Sequence, residues 1–205
     1  MLARAVWLAT RLFLTPFFFF LRPMNIELLE QSFSQVSPQA IAFSASFYEN
    51  LFRHHPELEP MFAQTSQEAQ EKKLVFSLAA IVENLRNPEV TQKALLSLGA
   101  RHAEVGTIKA HYPFVGQALL DTFEAYLGDD WTPEVATAWI EAYDAISNTM
   151  LEGAKNPEAY LEPELTFYDW MDLYGEGSPK LKEAIATLTD FHYRRQSESN
   201  ASGSA

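Results

Sequence analysis

Cysteine is absent from the 205 residues, and basic side chains are few. Without thiols the chain forms no disulfide, no Cys-based zinc site, no iron–sulfur cluster and no covalently tethered tetrapyrrole. The 15 Lys and Arg face 27 Asp and Glu, so the formal net charge is −12. This deficit excludes nucleic acid as an electrostatic partner, because such binding needs clustered basic residues. The 47% of hydrophobic residues instead predicts a packed globular protein.

The first 23 residues differ in kind from the rest, since they are apolar and contain three Arg but no acid. Their 17-residue apolar run, Ala5 to Leu21, holds one Arg and one Pro, which makes it a poor membrane span. It also lacks an evident signal-peptide cleavage site. Two interpretations stay open: Met24 is the true start, or residues 1–23 anchor the protein to a membrane. A membrane partner is expected only if this segment is translated, and otherwise the protein is expected to be cytoplasmic.

From residue 24 to residue 156 the hydrophobic pattern is helical, with Pro and Gly separating the segments. Apolar residues recur at i, i+4, i+7, i+8 and i+11 from Leu74 to Leu85. Thr65 is the expected N-cap of this helix, in a capping box with Glu68. Four residue pairs that end in Pro predict further helix starts: Ser37-Pro38, Asn87-Pro88, Tyr112-Pro113 and Thr132-Pro133. The pattern predicts an all-α domain of six to eight helices.

The last 49 residues differ in composition from the helical domain. Residues 157–195 are acidic and aromatic, and they contain one predicted amphipathic helix that starts at Ser178-Pro179. Residues 196–205 are polar and of low complexity, so we expect them to be disordered. The predicted organisation is therefore an N-terminal segment, a helical domain, a C-terminal helical extension and a tail.

One of the five histidines, His102, lies on an apolar helix face, four residues after Leu98. A histidine in this position is either a hydrogen-bonded core residue or a ligand. No second His or carboxylate follows on the same face at ligand spacing, so a zinc site with three or four protein ligands is disfavoured. A single protein ligand is enough only where a macrocycle supplies the others, as in haem.

Two polar side chains, Tyr48 and Gln70, also fall on apolar helix faces. A buried phenol or amide without a partner costs about 1–3 kcal/mol. The two side chains therefore either satisfy backbone groups or face a polar ligand, and the spacing does not decide between these.

Four segments together resemble the globin family, most of all the bacterial single-domain haemoglobins and the haem domain of flavohaemoglobins. They are FYENLFRHHPELEPMF at 47–62, QEKKLVFSLAA at 70–80, RHAEVGTIKAHYPFVGQALL at 101–120 and AWIEAYDAI at 138–146. The resemblance extends from about Ile26 to Ala154. It implies a globin fold around one non-covalent haem b with a single iron.

The resemblance also implies roles for individual residues. His102 is the expected iron ligand on the proximal side, and Tyr48 and Gln70 are the expected polar pair on the distal side, where the gas binds. The remaining expected haem contacts are Phe62, Leu74, Leu98 and Tyr112. One position departs from the family, because the glutamate that some members place near the proximal histidine is Ala154 here. Glu152 lies two residues earlier, about 200° around the helix, and does not replace it.

Three functions follow as hypotheses from the resemblance. The first is reversible binding of oxygen, nitric oxide or carbon monoxide, for storage, transport or scavenging. The second is a nitric oxide dioxygenase, in which Tyr48 and Gln70 act in catalysis and a separate reductase supplies electrons, since the roughly 50 residues after the domain are too few for reductase domains. The third is a gas sensor that signals through residues 157–205. A globin-like domain without haem is the remaining alternative.

Overall fold

The computed structural model describes residues 24–161, which form a helical globule. Its six α-helices are α1 (Ile26–Val36), α2 (Ala40–His54), α3 (Gln67–Asn84), α4 (Pro88–Glu104), α5 (Tyr112–Leu127) and α6 (Pro133–Lys155). Short 3-10 turns join them, the longest of which is Pro56–Phe62. No strand occurs in this part of the chain. The all-α prediction is therefore confirmed.

The predicted helix starts at Pro88, Tyr112 and Pro133 are confirmed. Two other predictions, the helix start at Ser37 and the N-cap at Thr65, are wrong by a few residues. The helix predicted from Ser37 opens as a 3-10 turn, and α2 begins only at Ala40. The N-cap of α3 is Ser66 rather than Thr65, because Ser66 Oγ accepts the backbone N–H of Ala69 at 3.3 Å. Adjacent hydroxyl residues can both serve as caps, so the sequence alone does not choose between them.

Stacked aromatic rings form the centre of the main core. Phe43 of α2 lies 4.7 Å from Phe123 of α5, measured between ring centroids, and Phe123 stacks on Trp139 of α6 at 4.0 Å. The Trp139 indole N–H donates to Ser32 Oγ of α1 at 2.9 Å. The rings join three helices, and the hydrogen bond to Ser32 adds α1, so burial of large aromatic surfaces provides much of the stability of the fold.

The helix that contains His102, α4, makes its most extensive contact with α6. Two glycines allow this approach: a Cβ at Gly99 would overlap the Met150 backbone, and a Cβ at Gly153 would overlap the Leu96 backbone. Each helix thus presents a glycine to the main chain of the other. The contact fixes α4 against the longest helix of the described domain.

Several predictions concern residues outside the described range. The N-terminal segment 1–23, the helix predicted from Ser178 and the tail 196–205 all lie there, as does most of the extension proposed for signalling. Within 24–161, no helix is long and apolar enough to cross a membrane.

The contact between α4 and α6 leads to a prediction for Gly99→Ala. We expect this substitution to lower the free energy of unfolding by about 1–3 kcal/mol, because the added methyl group would push the two backbones apart. Urea denaturation followed by circular dichroism measures the change. Ser97→Ala, on the same helix, is the control and should change stability by less than about 0.5 kcal/mol. An unchanged Gly99→Ala variant would show that the helices do not approach this closely.

Candidate haem site

His102 lies in the last turn of α4, where its side chain folds back onto its own helix. Its Nδ1 lies 2.8 Å from the Leu98 carbonyl oxygen. A carbonyl oxygen only accepts hydrogen bonds, so Nδ1 must carry the proton. In the neutral imidazole this leaves Nε2 unprotonated, with its lone pair available to a metal.

The surroundings of His102 favour the neutral imidazole. Burial lowers the pKa of His102, and the hydrogen bond to Leu98 offsets only part of this effect. Because the folded protein disfavours the charged form, the ring is uncharged near neutral pH. An uncharged ring with a free Nε2 is the form that binds metals.

A small apolar cluster lies on the His102 side. It contains Tyr112, Ile81, Leu95 and Met150, with Leu98 packed against it. The Tyr112 residue is 8% exposed, and its buried hydroxyl has no hydrogen-bond partner among residues 24–161. The backbone carbonyl of Tyr112, in contrast, accepts a bond from the Tyr143 hydroxyl at 2.6 Å.

Position 154 offers no partner for the Tyr112 hydroxyl, because Ala154 has no polar side-chain atom. Glu152 is exposed and pairs with Lys155 instead. Among the described residues, the hydrogen bond found for the His102 ring is the one to the Leu98 carbonyl. Within residues 24–161, the His102 ring is therefore held by a backbone acceptor, and no carboxylate bonds to it.

Tyr48 belongs to the main core, and Phe62 packs against that core. Tyr48, on α2, is 6% exposed, and its ring lies 5.6 Å from that of Phe62. The Tyr48 hydroxyl donates to the backbone carbonyl of Gln70 on α3 at 3.2 Å. Burial, and secondarily the charge of Glu71, raise the pKa of Tyr48, so the phenol keeps its proton.

The other residues expected on this side are partly buried. Gln70 lies in the first turns of α3, one helical turn before Leu74. Leu74 and Phe62 pack against the edge of the core cluster that contains Tyr48. The structure thus brings Tyr48, Gln70 and Phe62 together, and it places Leu98 and Tyr112 in the separate cluster near His102.

The donor set and its surroundings fit a haem. One neutral imidazole offers Nε2. Apolar side chains predominate in the cluster that contains Tyr112 and in the cluster that contains Tyr48. Two large apolar residues that follow His102, Val105 and Ile108, are 63% and 57% exposed.

The sequence did not predict the exposure of three residues. Glu71 is buried although its sequence position gives no sign of this, while Val105 and Ile108 are exposed although apolar. Helical spacing from Gln67 through Glu71 to Val75 would have placed Glu71 on a buried face, but a charged residue is ordinarily assigned to the surface.

The orphaned hydroxyl makes two Tyr→Phe substitutions informative. Tyr112→Phe should leave stability unchanged or raise it by up to about 1 kcal/mol, because it removes a buried group that has no partner. Tyr143→Phe is the matched comparison, and it should cost about 1 kcal/mol, since the Tyr112 carbonyl loses its donor. Urea denaturation of both variants tests this, and a larger loss for Tyr112→Phe would contradict the assignment.

Comparison with known proteins supports the same identification. The globin family model matches residues 45–150. The chain is 30% identical over 155 residues to a flavohemoprotein of Halalkalibacterium halodurans, with 75% of this chain and 37% of that protein covered. It is 31% identical over 177 residues to a flavohemoprotein of Bacillus subtilis, with 83% and 43% covered. The chain therefore spans about two fifths of the length of these relatives.

Two solved structures are similar to the fold. An engineered carbene transferase, described as a putative nitric oxide dioxygenase from Rhodothermus marinus, is 30% identical and superposes with a TM-score of 0.61 over 69% of this chain and 98% of its own. A bacterial globin from Campylobacter jejuni shares the fold at 23% identity, with a TM-score of 0.57 over 65% and 96%. With a family model that matches more than half of its residues and a helical fold that agrees, this chain belongs to the globin family.

Proposed function

We propose that this chain binds one haem b non-covalently through His102 and that it reversibly binds oxygen, nitric oxide or carbon monoxide. The observation that supports this most strongly is the hydrogen bond from His102 Nδ1 to Leu98, which leaves Nε2 free. The similarity to flavohemoproteins and bacterial globins agrees with a haem cofactor. The proposed location is the cytoplasm.

The haem iron, when bound, supplies an open coordination position for a diatomic gas. His102 would hold the iron from one side, oriented by the Leu98 carbonyl. Leu98 on that side and Phe62 and Leu74 on the other would exclude water from the two faces. In such an apolar site, a ligand that draws electron density onto itself is stabilised by nearby O–H and N–H donors.

Tyr48 and Gln70 would supply those donors. The Tyr48 hydroxyl has one proton, which it now donates to the Gln70 carbonyl over 3.2 Å. This distance is long for an O–H···O bond, so rotation about the phenol C–O bond would cost little and would redirect the proton to a ligand. The Gln70 side-chain amide has two further N–H donors.

A nitric oxide dioxygenase activity is the second candidate. It is favoured by the structural neighbour that is described as a putative nitric oxide dioxygenase. In the net reaction, nitric oxide, dioxygen and one electron give nitrate. Tyr48 and Gln70 would act on the distal side in this reaction. A reductase would have to return the electron after each turnover, and we propose that a separate protein does this.

The ligand assignment predicts the outcome of His102→Ala. This variant should lose stable haem binding and with it the Soret absorption, because Nε2 is the proposed protein ligand to iron. Absorption spectra and haem-to-protein ratios after reconstitution measure the loss. His54→Ala, at an exposed histidine, should retain full haem content. A His102→Ala protein with full haem and an unaltered spectrum would refute the assignment.

The donor role of Tyr48 predicts a faster release of oxygen from Tyr48→Phe. We expect the oxygen dissociation rate to rise about tenfold or more, since a charge-assisted hydrogen bond contributes about 1.5–3 kcal/mol. Stopped-flow measurements test this. Tyr126→Phe removes a hydroxyl of α5 that pairs with Ser46 of α2, and it should leave the rate unchanged. An unchanged rate in Tyr48→Phe would mean that its hydroxyl stays on the Gln70 carbonyl.

The enzyme candidate predicts continued nitrate production only when electrons are supplied. With excess oxygen and nitric oxide, the purified protein, loaded with haem and first reduced to the ferrous state, should form about one nitrate per haem and then stop. With a reductase and its electron donor it should form nitrate continuously. Nitrate that never exceeds one per haem while the reductase keeps the iron reduced would leave gas binding as the function.

A further inference from the structure

Glu71 is the one Asp, Glu, Lys or Arg side chain among the buried residues of the described range. It is 5% exposed, and its Oε1 accepts a hydrogen bond from Gln67 Nε2 at 2.9 Å. The basic residue that follows, Lys72, lies 2.7 Å from Glu68, one turn earlier on α3. A buried carboxylate is costly, so its retention calls for a physical reason.

The position of Glu71 relates it to the proposed gas-binding side. It directly follows Gln70, whose carbonyl accepts the Tyr48 hydroxyl. The charge of Glu71 acts on the Tyr48 phenol and adds to the effect of burial in raising its pKa. A negative charge on a buried side chain is screened little by salt.

We infer that Glu71 places a negative charge beside the contact between Tyr48 and Gln70, behind the distal wall, where it makes the site favour neutral diatomic gases over anions. This inference rests on the proposed haem function. Oxygen, nitric oxide and carbon monoxide are uncharged, so the field of Glu71 does not hinder their entry. An anion is repelled as it approaches the same charge.

The same field has a consequence for the dioxygenase candidate. Nitrate, the product of that reaction, is an anion, and a nearby carboxylate would weaken its retention. Glu71 would therefore favour release of product as well as selection of ligand. Neither effect requires Glu71 to touch the ligand.

The test compares anion and neutral-gas binding in the haem-loaded protein. Glu71→Gln removes the charge and keeps an oxygen that can accept from Gln67. We expect the Kd of azide for the ferric protein to fall about three- to tenfold, and the carbon monoxide association rate of the ferrous protein to change by less than about twofold. The azide difference should persist at high salt, because the charge is buried.

Glu68→Gln is the matched control, since it removes the same charge from an exposed position one turn away on α3. Its azide Kd should equal that of the unaltered protein at high salt. Glu71→Met is a second neutral variant, which keeps the proposal testable if the Gln variant folds poorly, and it should also tighten azide binding.

Two results would overturn the inference. One is an azide Kd in the neutral variants that equals that of the unaltered protein. The other is loss of haem binding in both Glu71 variants but not in Glu68→Gln, which would assign the carboxylate a structural role. Failure of the unaltered protein to bind haem would instead refute the proposed function, so the two failures are distinguishable.

Discussion

The hydrogen bond from His102 Nδ1 to the Leu98 carbonyl is the interaction on which the proposed chemistry depends. It assigns the proton to Nδ1, it orients the ring, and it leaves Nε2 as the free nitrogen. Burial keeps the ring uncharged by lowering its pKa. Both effects require α4 to stay in place, and the glycine contacts of Gly99 and Gly153 fix that helix against α6.

The two sides of the proposed site differ in their electrostatics. On the proximal side, Ala154 supplies no carboxylate, and the Tyr112 hydroxyl has no partner in the part of the chain that the structure describes. An imidazole that donates only to a backbone carbonyl is less basic than one that donates to a carboxylate, so it pushes less electron density to the iron. On the distal side, Glu71 adds a buried charge.

Much of the fold and of the proposed site could be predicted from the sequence, because local patterns determine several helix starts and helix faces. Proline at the first position of a helix predicted the starts at Pro88 and Pro133, because its fixed backbone angle suits that position. The spacing of Leu98 and His102 placed the histidine on an apolar face. The resemblance then assigned its role as a ligand, and the hydrogen bond to the Leu98 carbonyl is compatible with that role.

Other features depend on packing between distant segments, which local patterns do not reveal. Thr65 and Ser66 are both good caps, and only the path of the chain into α3 selects Ser66. The burial of Glu71 depends on how α3 lies against its neighbours. The closeness of Gly99 to Met150 and of Gly153 to Leu96 joins residues about 50 apart in the chain, and a glycine within a helix does not by itself indicate which backbone approaches it.

The most direct test of the account is the protonation state of the His102 ring in the haem-free protein. Two-bond proton–nitrogen correlation spectra of ¹⁵N-labelled protein near neutral pH distinguish the two neutral forms and the charged form. We expect a neutral His102 with the proton on Nδ1 and an unprotonated Nε2. A proton on Nε2, or a charged ring at that pH, would contradict it.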